Sequence, residues 1–134
     1  MRALWSIAAV AASLMLAQPL VAQTPPDPIV RPGRLRQVSP HVYIIPDNSV
    51  PPVPNVGFVV GERGILVIAT ALGPRNGSAV LEVAKKLGGS RQLYHVITHF
   101  HPEHDLGAQA FPESTTLIRS NDQVKDIAEF GLQL

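Results

Sequence analysis

The sequence predicts an α/β layered domain, and three observations lead to it. Two apolar runs flank the short turn Glu62-Arg63-Gly64, the pattern of an antiparallel hairpin. An amphipathic stretch ending near Leu87 follows, and then a further apolar run from Leu93 to Ile97. Strand, helix and strand therefore alternate, as they do where helices are layered on a sheet. The 134 residues are 46% hydrophobic and 16% charged, a globular composition that suffices for one small domain at most.

Residues 1–22 read as a secretory signal. Arg2 gives a positive start, and Ala3 to Ala17 is an apolar run broken only by serines. Pro19-Leu20-Val21-Ala22 then offers a cleavage site before Gln23, although Leu20 is larger than ideal at its position. The apolar run is short for crossing a bilayer. The expectation is export to a bacterial periplasm or beyond, with no stable membrane anchor after cleavage. Residues 23–36 hold Thr24-Pro25-Pro26-Asp27-Pro28 and Arg31-Pro32-Gly33-Arg34, and read as an extended Pro/Arg-rich linker. Its arginines, Arg31, Arg34 and Arg36, read as solvated. Residues 37–134 remain for the domain.

Val38 to Ile45 reads as a first strand, closed by Pro46-Asp47-Asn48-Ser49. Val50-Pro51-Pro52-Val53-Pro54 is a stiff loop, suited either to lining a groove or to a plain surface connection. The hairpin pairs residues 55–61 with 64–70. Both arms are apolar throughout, so both faces are expected to be covered. Leu72 to Gly77 is a turn, and Asn76 or Ser78 is placed to cap a helix running to about Leu87. Val80, Leu81, Val83, Ala84 and Leu87 make its apolar face, and Gly88-Gly89 ends it. After the strand at Leu93, a short helix is expected from Asp105 to Ala110. The Asp105 carboxylate would sit in its first turn, where the helix dipole favours it. Thr115 to Ile118 reads as a strand. Ser120 caps a last helix with Gln123 as capping-box partner, and Val124, Ile127, Ala128 and Gly131 mark its buried side.

The chemistry concentrates where the Leu93 strand ends. His99, His101 and His104 fall within six positions, with Glu103 among them. Neutral imidazole offers a nitrogen lone pair and is the commonest metal ligand. Alternate side chains of extended backbone point the same way, so His99 and His101 can share an ion. Pro102 turns the chain, and Glu103 and His104 approach from another direction. Unmet imidazoles at a strand end would be costly to desolvate. His99, His101, His104 and Glu103 are therefore the candidate ligands for one or two ions. His41 and His95 read as ordinary surface or core residues.

Thr98-His99-Phe100-His101-Pro102-Glu103-His104-Asp105-Leu106-Gly107 resembles the T-H-x-H-x-D-H-x-x-G signature of the metallo-β-lactamase-fold hydrolases. Glu103 stands where that family usually has aspartate. Ala69-Thr70-Ala71 stands where it usually reads Asp-Thr-Gly. The resemblance implies the N-terminal half of a four-layer αββα sandwich. It also implies zinc, one or two ions, with His99 and His101 on one and His104 with Glu103 at the second. A metal-bound water of lowered pKa would attack a carbonyl of lactam, lactone or thioester type, with Glu103 as a ligand or as a catalytic group that orients water or moves a proton. The family's remaining ligands come from its second half, which suggests a truncated form.

Other classes find less support. Without cysteine, neither disulfides nor thiolate zinc sites are possible. His-Glu-x-x-His and its inverted form are absent, and Gly73 and Gly77 lack the lysine of a phosphate loop. Net charge is +1 and no basic stripe suggests nucleic acid. The expected partner is a small-molecule substrate. Two alternatives are a non-catalytic metal-binding fragment and, on the 50–54 loop alone, a partner-binding module.

Overall fold

The computed structural model describes residues 30–47 and 49–131. The expected signal segment and the first half of the expected linker, residues 23–29, lie outside them. Six strands form one sheet in sequence order: β1 (Arg36–Ser39), β2 (Val42–Ile45), β3 (Val56–Val60), β4 (Gly64–Ile68), β5 (Gln92–Val96) and β6 (Thr116–Ile118). Strands β1 to β4 run antiparallel to their neighbours, and β4, β5 and β6 run parallel. Helix α1 (Gly73–Gly88) makes the crossover from β4 to β5, since parallel neighbours cannot be joined by a tight turn. After β5 come one helical turn, α2 (Pro102–Asp105), a 3-10 segment (Leu106–Ala110), β6 and helix α3 (Asn121–Phe130).

The core lies between α1 and one face of the sheet. Alternation along β3 and β4 points Val56, Phe58, Ile65 and Val67 to that face, where they meet Val80, Val83 and Ala84. Removing a side chain such as Phe58 from water contributes roughly 1.5–3 kcal/mol. The opposite face is less covered than the apolar arms suggest. Val59, Leu66, Ile68, Tyr94 and Val96 are only half-buried.

Several boundaries differ from expectation, each for a local reason. The expected strand from Val38 to Ile45 is two strands, because Pro40 brings no ladder donor and His41 adopts φ 66°. Neither Asn76 nor Ser78 caps α1. The helix begins at Gly73, with Pro74 in its first turn and Leu72 before it making no side-chain cap. Asn76 is buried instead, accepting from the Val30 N–H at 3.0 Å and donating to Leu72 O at 2.9 Å. That bond fixes Val30 in the core, and Pro32–Arg34 form a 3-10 turn at the end of the expected linker. The helix around Asp105 starts earlier, at Pro102, and Asp105 ends its one turn rather than opening it. Helix α3 has the expected capping box, but Val124 is 54% exposed and no residue of the helix is buried.

Candidate metal centre

The histidine-bearing segment leaves β5 at the end of the parallel part of the sheet. The Ala69 N–H donates to Val96 O at 3.0 Å, which carries the β4–β5 pairing one step past the strand ends. The chain then bends through Thr98 to Phe100. His101 is extended (φ −62°, ψ 141°), as the residue before proline must be, and Pro102 opens α2. His99 and His101 thus lie on the arm, and Glu103 and His104 on the turn that folds back against it.

This fold-back brings three side chains together. One ligand atom each of His99, Glu103 and His104 lies within 4.8 Å of the others. The His99 ring centroid is 4.3 Å from that of His104 and 4.4 Å from that of His101. His101 adjoins the trio without joining it, with Nδ1 3.4 Å from Glu103 Oε1 and a half-exposed side chain. Thr98 Oγ1 lies 2.9 Å from His99 Nδ1, fixing one side of that ring. Burial, and next the neighbouring His99, hold His104 below the usual histidine range; Glu103 works against them. His104 is thereby kept in the neutral form that binds metals.

The β4–α1 turn clamps the backbone of this segment. The Thr70 N–H donates to His104 O at 2.9 Å, and the Thr70 hydroxyl to Asp105 O at 3.2 Å. The Gly107 N–H donates to Ala71 O at 2.7 Å. A Cβ on Gly107 would collide with the Thr70 carbonyl, and one on Gly77 with the Gly107 carbonyl. Ala69 and Ala71, the residues either side of Thr70, both take φ 64°. The left-handed conformation costs an alanine roughly 1–2 kcal/mol, a strain this turn carries at both residues.

Sequence reasoning missed the group behind α2. Asp105 pairs with Arg119, and both lie beside His95, which is fully buried and stacked on Phe111. Nothing in local spacing marks this group, because β5, the end of α2 and the residue after β6 bring together side chains 14 and 24 positions apart. His95 does prove to be a core residue, and His41 sits exposed at a turn.

No protein-family model matches the chain, and no curated protein matches it in sequence. Solved structures do match in three dimensions. A metallo-β-lactamase from Erythrobacter litoralis aligns with TM-score 0.58 and 19% identity, over 77% of this chain and 49% of that one. The fold is metallo-β-lactamase-like. Hirschia baltica provides another such metallo-β-lactamase, at TM-score 0.57 and 15% identity, over 72% of this chain and 47% of its own. The inverting sec-alkylsulfatase Pisa1 from Pseudomonas sp. aligns at TM-score 0.55 and 16% identity, over 72% and 16%. The chain thus spans less than half the length of each of these structures.

A fold shared with metallo-β-lactamases raises the question of whether its residues suit a metal. They do. The donors are imidazole nitrogen and carboxylate oxygen, the set that zinc takes. His104 Nδ1 is moreover buried with no hydrogen-bond partner among the described residues. A cation would satisfy that atom, and no neighbouring donor or acceptor does.

Proposed function

We propose that this chain carries metal ligands of a zinc-dependent hydrolase acting on small carbonyl compounds of lactam, lactone or thioester type. The observation that carries the proposal is the convergence of His99, Glu103 and His104, with a buried His104 Nδ1 that is unpartnered among the described residues, within a metallo-β-lactamase-like fold. His99 and His104 would supply nitrogen to the ion, and Glu103 oxygen. His101 would join them, or bear on the ion through Glu103. Held by these residues, a divalent ion would supply Lewis acidity and a lowered water pKa near neutrality.

The chain's own groups do the rest. As the alternative to ligation, Glu103 would orient water or take a proton from it at Oε1, with His101 Nδ1 3.4 Å away. Leu72, Phe100, Pro102, Leu106 and Ile127, together with Asp105, line a cavity of about 240 Å³ beside the histidine arm. It suits the apolar part of a substrate. The proposed setting is the periplasm, reached through the leader at residues 1–22. The donors gathered here are proposed to be one part of a larger site.

Zinc titration of the purified protein, followed by a nitrocefin, lactone and thioester panel, tests this. Tight zinc with turnover supports the hydrolase. Zinc uptake without turnover on any of the panel supports the alternative, a non-catalytic metal-binding fragment. Replacing His99 and His101 by alanine is expected to abolish uptake, and unchanged stoichiometry would overturn the site.

A further inference from the structure

One group of side chains lies outside the converged donors, yet it abuts the segment that carries them. We propose that Asp105, Arg119 and His95 form a positioning unit that holds the His104 imidazole in place for metal binding. The proposal rests on the metal-site reading for its consequence, and on separate geometry for its substance.

Asp105 follows His104 directly in the chain, and its carboxylate is not among the converged donors. It pairs with the Arg119 guanidinium instead. The Arg119 side chain is only 12% exposed, and its guanidinium is held on more than one side. Its Nη1 donates to Ile118 O at 3.0 Å and to His95 O at 3.5 Å. Its Nη2 lies 3.5 Å from His95 Nδ1, which is itself 3.8 Å from Asp105 Oδ1. Two strands and the end of α2 therefore meet at one planar cation.

The opposite side of the same dipeptide is gripped by Thr70, whose N–H and hydroxyl reach His104 O and Asp105 O. Thr70 fixes the carbonyls of residues 104 and 105, and Arg119 fixes the side chain of 105. Between them the backbone at His104 has little freedom to turn, and the direction in which its ring leaves the chain is set. A lysine cannot reproduce this. It offers a point charge on a flexible stem, where arginine offers a rigid fork able to serve several acceptors at once. Asp105→Asn keeps the shape but leaves Arg119 a nearly buried cation without its counter-charge.

Cobalt(II) provides the probe, since its visible spectrum reports the geometry of its ligands. The full chain is titrated with Co²⁺ as wild type, Arg119→Lys, Asp105→Asn and the double variant. Urea unfolding of the metal-free forms is measured in parallel. Arg119→Lys keeps the cation, so it guards against a result that reflects unfolding alone. Each single variant is expected to weaken Co²⁺ binding by about 10-fold or more, the range seen when groups orienting a ligand are lost. The visible band is expected to shift, and the double variant to bind no worse than the weaker single one. A merely structural ion pair would lower the urea midpoints and leave affinity and band unchanged. Variants that bind within twofold of wild type with the same band overturn the positioning unit and leave the metal site standing. A wild type that binds no Co²⁺ overturns both.

Discussion

Replacing His95 by leucine removes a buried titratable group and should flatten the acid side of the stability profile. His95 is 0% exposed. Burial is the larger reason its pKa falls to about 4 from 6.5, and the Arg119 charge is the next; Asp105 and the His104 backbone act the other way. The unfolded chain takes up the proton near pH 6.5, while the folded chain resists it until about pH 4. Stability is therefore intact above pH 6.5 and is lost as pH falls through that window. The gap of about 2.5 units corresponds to roughly 3 kcal/mol once the titration is complete. Urea unfolding of metal-free protein between pH 7.5 and pH 4 reads this directly. The wild type is expected to lose most of that 3 kcal/mol in excess of His95→Leu. Parallel profiles for the two proteins would show that His95 is not held neutral by its surroundings.

Other substitutions probe the frame around the site. Gly107→Ala forces a methyl group against the Thr70 carbonyl, and is expected to lower the urea midpoint sharply and to disturb metal uptake with it. Ser120→Ala removes the acceptor for the Gln123 N–H at the start of α3, and should cost about 1 kcal/mol with little change at the metal centre. Phe58→Ala opens the core between α1 and the sheet, at about 3–5 kcal/mol by thermal or chemical unfolding.

What could be read from the sequence was what local chemistry decides. The β3–β4 hairpin follows from two apolar arms around Glu62-Arg63-Gly64. The α3 capping box needs only Ser120 and Gln123, and both of its bonds form. Local too is the fold-back that gathers His99, Glu103 and His104, because Pro102 forces it within six residues. Burial was harder to read. Val124 and Ala128 have helical spacing but are exposed, since spacing shows which side is apolar and not whether anything packs there. Pro40 divided an apolar run whose alternation looked continuous. Pro74 started α1 ahead of the residues that looked like caps. The Asp105–Arg119–His95 group depends on β5 and β6 lying side by side, which only the assembled sheet establishes.

Metal content bears most directly on the central claim. The protein is loaded with zinc, dialysed against metal-free buffer and analysed for elements, beside a variant with both His99 and His104 changed to alanine. About one zinc or more per wild-type chain, and none in the variant, is the expected result. Wild-type protein that retains no zinc, or a variant that retains as much, would contradict it.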